Sequence, residues 1–83
     1  PEAASTYGWV LYKAGRVKEA DQVLTQLARA GRVTEDTAYF IARVASELGR
    51  KEEAITVLES ALKSKRPFSK RDEAEALLNE LQR

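Results

Sequence analysis

Sliding the first 34 residues of this 83-residue chain onto the next 34 gives nine identities: Ala4/Ala38, Val10/Val44, Gly15/Gly49, Arg16/Arg50, Glu19/Glu53, Ala20/Ala54, Val23/Val57, Leu24/Leu58 and Arg32/Arg66. Average composition would give roughly two. A chain that copies a unit of this length is constrained to stack the copies, because one unit cannot bury its apolar face alone.

The unit is helical. Ala38, Ile41, Ala42 and Ala45 recur at i, i+3, i+4 and i+7, Gly49-Arg50 interrupts, and Ala54, Leu58 and Ala61 resume the spacing. Glycine suits the residue after a helix end, where φ turns positive. The same punctuation stands at Gly15-Arg16, Gly31-Arg32 and Gly49-Arg50. The pattern predicts helices over 2–14, 18–30, 35–48, 51–64 and 70–82, and no sheet, since β-branched residues never alternate. Thr34 and Ser69 are expected N-caps, the latter with Asp72 in a capping-box position. Arg66-Pro67 should break the chain before the last helix. Ala74, Leu77, Leu78 and Leu81 fall on Ala38, Ile41, Ala42 and Ala45 only at an offset of 36, so the linker around 64–69 carries two extra residues.

Composition narrows the chemistry. With 14 basic and 13 acidic residues the net charge is +1, no electrostatic footprint for nucleic acid or an anionic membrane. There is no cysteine for a disulfide or thiolate and no histidine to ligate a metal or act as a base. No apolar run is long enough to span a bilayer, and no signal peptide is visible. The start at Pro1 rather than Met is expected of a processed or excised piece. No Gly-rich phosphate loop or nucleophile motif is present. An enzyme is therefore not expected, nor a cofactor.

A helix-turn-helix period of 34 residues resembles the tetratricopeptide repeat. Against that family's first-helix pattern, Trp-x₂-Leu-Gly-x₂-Tyr, the chain reads Ala4-x₂-Tyr7-Gly8-x₂-Leu11 and Ala38-x₂-Ile41-Ala42-x₂-Ala45. Against the second-helix pattern, Ala-x₃-Phe, it reads Ala20-x₃-Leu24 and Ala54-x₃-Leu58. The closing proline is absent from the first unit and displaced to Pro67 in the second. The resemblance implies an all-α fold of five helices. Repeats at 1–34 and 35–68 and a capping helix at 69–83 would stack as a short right-handed superhelix. A plain helical bundle and a 35-residue RNA-binding helical repeat are the other architectures. The last linker and helix also resemble the ends of bacterial arrays, including those tied to exopolysaccharide export. Tyr7, Gly8, Leu11, Ala20, Leu24, Leu27, Ile41, Ala42, Ala45, Ala54, Leu58, Ala61, Leu77, Leu78 and Leu81 are expected in the core.

The resemblance further implies a concave face lined by the first helix of each repeat. Trp9, Tyr12, Lys13, Tyr39, Phe40 and Arg43 fall there, off the core stripe, and form a candidate partner-binding groove for an apolar or helical segment. The other reading is that these rings pack on one another. A charge at Phe40 should be tolerated, whereas one at Ile41 should unfold the domain. The family's carboxylate clamp of Lys, Asn and Arg does not carry over, because Ser5, Trp9 and Phe40 occupy its places. Lys63, Lys65, Arg66, Lys70 and Arg71 form a basic run around the last linker, expected to be a solvated loop. The Glu52-Glu53 and Asp72-Glu73 pairs fit helix starts better than acid/base chemistry. Ala3, Tyr7, Val10 and Ala14 on the first helix form an apolar face through which a homodimer is expected. The chain thus reads as a protein-interaction module. The alternatives are a structural cap with a self-association segment and, disfavoured by the charge balance, an RNA-binding repeat.

Overall fold

The computed structural model describes residues 2–31, 33–64 and 68–83, with side chains from Thr6 onward. Among them lie five α-helices and no strand: α1 (Glu2–Lys13), α2 (Val17–Arg29), α3 (Glu35–Glu47), α4 (Lys51–Leu62) and α5 (Arg71–Leu81). The expected break at Arg66-Pro67 lies outside the described residues.

The 34-residue period of the sequence is a period of backbone geometry. Gly15 and Gly49 take φ of +83° and +81°, where a side chain would be strained. The N–H of Gly15 donates to the Tyr12 carbonyl at 3.0 Å, and that of Arg16 to Leu11 at 2.9 Å. In the second copy Gly49 donates to Ser46 at 3.2 Å and Arg50 to Ala45 at 2.8 Å. Each pair of bonds closes a helix end on a left-handed residue. Arg16 and Arg50 then open the next helices with matching dihedrals, φ −93° and ψ 62° against φ −92° and ψ 60°.

Helix starts obey the sequence in one case and not in the other. The Thr34 side chain accepts from the Thr37 N–H at 3.2 Å, as an N-cap should. At α5 the N-cap is Lys70, not Ser69, and it makes no side-chain cap. Asp36 of α3 takes that role, accepting from the Ser69 hydroxyl at 3.1 Å and the Lys70 N–H at 3.2 Å. Arg71 donates to the carbonyls of Leu62 at 3.4 Å and Ser64 at 2.7 Å, while the Ser64 hydroxyl donates to Glu35 at 2.7 Å. The start of α5 is therefore tied to both α3 and α4. It begins 36 residues after α3 (71 against 35), whereas α4 begins 34 after α2 (51 against 17), consistent with two extra linker residues.

The helices form two hairpins, α1–α2 and α3–α4; α3 also packs on both helices of the first hairpin, and α5 on both helices of the second. Small residues set the approach within a hairpin. A Cβ at Gly8 would lie 2.9 Å from Cγ of Leu24, which is 1% exposed. Ala42, the counterpart of Gly8, is fully buried, as are Ala54 and Leu58. Of the expected core residues, Tyr7 lies outside the core, and Ile41, Leu78 and Leu81 pack against it only partly buried. Tyr7 is 54% exposed. Ile41 is half-buried and lines an open groove of about 440 Å³ with Val33, Ala38, Val57 and Ala61. Conversely Tyr39, Phe40 and Val44 are buried, at 6%, 9% and 1% exposure, so a charge at Phe40 would not be tolerated as expected. The helical-wheel argument gave α3 a single packing face; stacking gives it neighbours on nearly every side.

Candidate functional site

Four of the six residues read as a groove are rings that meet where α3 crosses α1. Trp9 stacks on Tyr12 at 5.0 Å and on Phe40 at 4.7 Å, both at 21° between planes. Tyr39 lies 5.8 Å from Trp9 and 6.0 Å from Phe40. These centroid distances are those of attractive ring pairs. Tyr39 and Phe40 are thus a buried floor, and only Trp9 and Tyr12 remain partly open to solvent.

Charge surrounds that opening. The Lys13 ammonium stands 5.3 Å from the Trp9 ring centre, within cation–π range. The Tyr12 hydroxyl donates to Glu47 at 3.2 Å, tying the end of α1 to the end of α3. Burial opposes the charge on Arg43, but the Tyr12 hydroxyl, Tyr39 and Glu80 outweigh it, and the guanidinium pKa is raised. Burial also raises the Tyr39 phenol; Arg43 opposes this and Glu73 of α5 adds to it. Glu73 and Glu80 were not foreseen as neighbours of this site, because only the docking of α5 brings them near α3.

The remaining candidates divide. Lys70 pairs with Glu73 at 3.5 Å and Arg71 binds helix-end carbonyls, so those two cations of the basic run serve the fold. Lys63 is exposed, and Lys65 and Arg66 lie outside the described residues. The Glu52-Glu53 and Asp72-Glu73 pairs stand in the first turns of α4 and α5, where the helix dipole favours them. Tyr7 and Val10 are exposed on α1, Ala14 is exposed in the turn that follows it, and the Ala3 side chain lies outside those described. One contact had no sequence signal. Arg50 donates to Asp21 at 3.0 Å, 29 residues away, and joins α2 to the turn opening α4. Among the described residues no group of His, Cys, Asp and Glu could hold a metal ion, and no helix is long and apolar enough to cross a membrane.

Stacked helical hairpins with a shared period and an aromatic junction define an all-α repeat protein of the tetratricopeptide kind. The family model described as anaphase-promoting complex, cyclosome, subunit 3 matches residues 1–61, and the chain belongs to that tetratricopeptide-like family. No curated protein and no solved structure matches the chain. Repeats of this family are generally non-enzymatic scaffolds for protein–protein interaction.

Proposed function

We propose that this chain, read as two repeats and a capping helix, binds a partner segment on its concave face, at the opening between α1 and α3. The observation that carries the reading is the Trp9–Tyr12 stack, left partly open on a buried floor of Tyr39 and Phe40. An apolar side chain of the partner would lie on the Trp9 and Tyr12 rings. Lys13 and Arg43 beside them favour a segment that also carries a carboxylate. Preformed rings bind at low entropic cost, because their packing already fixes their rotamers.

The chain's one tryptophan, Trp9, provides the readout. A randomised peptide display library is panned on the chain, and enriched peptides are titrated by tryptophan fluorescence and by calorimetry. Trp9→Ala and Lys13→Glu should weaken binding roughly tenfold or more in calorimetry. Thr56→Ala, at an exposed position of α4, should leave it unchanged. Enrichment of nothing, or of peptides that bind a folded Trp9→Ala chain equally well, would overturn the proposal.

A further inference from the structure

The ring site stands at one end of a face whose charge changes sign along its length. Helix α3 packs on both α1 and α5, whereas α1 and α5 do not pack on one another among the described residues. On the α1 side, Lys13 is the charged residue among the described side chains of that helix, and its ammonium stands 5.3 Å from the Trp9 ring centre. On α3, half-buried Arg43 lies in the field of Tyr12 on one side and Glu80 on the other. Tyr39, one turn earlier, lies likewise between Tyr12 and Glu73. On α5, Glu73, Ala76 and Glu80 recur at helical spacing and are all exposed, while Ala74 and Leu77 of the same helix are buried. Glu73 reaches Lys70 at 3.5 Å, and Glu80 has no ion-pair partner among the described residues. The two carboxylates thus flank a small residue that leaves the surface between them open.

We infer that the segment bound at the ring site is charge-polarised: a carboxylate meets Lys13, an apolar anchor lies on Trp9 and Tyr12, and a lysine or arginine beyond the anchor meets Glu80 and Glu73 on α5. This rests on the binding site proposed above and adds the sign and order of the charges that fill it. Charge complementarity fixes register and rejects wrong partners more than it adds affinity. A uniformly acidic segment would be repelled at α5, and a uniformly basic one at Lys13. Arg43 does not cancel the acidic end, because it is half-buried while Glu73 and Glu80 are exposed, so a ligand over α5 meets the carboxylates first. Neighbouring helix axes stand roughly 8–10 Å apart, which places the basic residue about 16–20 Å from the anchor, roughly five or six residues of extended chain.

The test pans displayed peptides, each with one fixed leucine and random flanks, on the whole chain and separately on its Glu80→Lys variant. Peptides enriched on the unaltered chain should carry an acid on one side of the leucine and a base on the other. The base should vanish from those enriched on Glu80→Lys. In calorimetry an enriched peptide should bind Glu80→Lys about tenfold more weakly, and exchanging its basic residue for glutamate should restore binding to that variant. The loss should shrink at 1 M salt, and Glu80→Gln should show a smaller loss in the same direction. Circular dichroism should find both variants folded, since Glu80 is exposed. Peptides that need Trp9 yet bind Glu80→Lys equally well would overturn the polarity and leave the ring site standing. Enrichment of nothing, or of peptides indifferent to Trp9→Ala, would overturn both. A dimer in sedimentation equilibrium that Glu80→Lys dissolves would give the face to a second copy and also overturn the inference.

Discussion

Helices α1 and α3 occupy the same place in their hairpins, end in the same glycine turn and share Val10/Val44, yet they live in different solvents. On α3, Thr37 through Phe40, Ala42, Val44 and Ala45 are all buried. On α1, Tyr7 and Val10 stand more than half exposed. The backbone is not the cause, since the turn dihedrals agree within a few degrees. The difference is neighbours: α3 packs on α1, α2, α4 and α5, and α1, among the described residues, only on α2 and α3. In a stacked array a residue's burial depends on which hairpins flank its own, as a nearest-neighbour description requires.

The sharpest way to break the comparison is to place a charge at both valines. Val44→Asp should unfold the domain, because an unpaired buried carboxylate costs about 3–5 kcal/mol, a large share of the stability of a chain this size. Val10→Asp should stay within about 0.5 kcal/mol in a urea melt. Equal losses at the two sites would mean that α1 is covered as α3 is.

A smaller effect separates Phe40 from its counterpart. Phe40→Ala should cost about 3 kcal/mol through the cavity left under Trp9, and should raise the solvent exposure of the tryptophan fluorescence. Thr6→Ala should cost next to nothing. A native-like melt for Phe40→Ala would return the ring to the surface and reopen a deeper groove.

Removing the bridge between hairpins comes next. Arg50→Ala should cost about 0.2–1 kcal/mol at low salt and less at 1 M salt, because the pair is partly solvent-screened. Arg16→Ala, lacking a cross-hairpin partner among the described residues, should not move the melting midpoint. A double-mutant cycle of Arg50 with Asp21 isolates the bridge from the local Glu53 contact.

The smallest effect appears only in alkali. Burial raises the Tyr39 phenol above its ordinary pKa of 10.0. The folded chain then holds this proton to higher pH than the unfolded chain. Its contribution to stability is complete below pH 10 and is lost as pH rises through the folded-state pKa. Tyr39→Phe should flatten that part of the pH–stability curve and leave the curve near neutrality unchanged. An unaltered alkaline limb would show that Tyr39 is not buried.

The aromatic site was legible in the sequence as a group but not as a surface. Two rings on α1 and two on α3 fall on the first helices of successive repeats, which stack as neighbours, and the four meet there. Which of them stayed open depended on where α5 and α1 lie around α3, and no periodicity within one helix contains that information. Ser69 shows the same limit. Its local pattern is that of a capping residue, yet a carboxylate 33 residues earlier in the chain, Asp36, takes over the role.

The sequence by itself determined five helices, their turns and the hairpin repeat, because these rest on local terms. Gly15 and Gly49 release the chain into a left-handed conformation, Thr34 satisfies an orphan amide, and Gly8, Ala42 and Ala54 leave room for a second backbone. Only the tertiary structure decided that Phe40 is floor and Tyr7 is surface, that Arg50 finds Asp21, and that Asp36 seats α5. Those outcomes depend on which apolar stripe meets another from a different hairpin. Burial is a property of the pair of surfaces, and one helix's spacing specifies only its own.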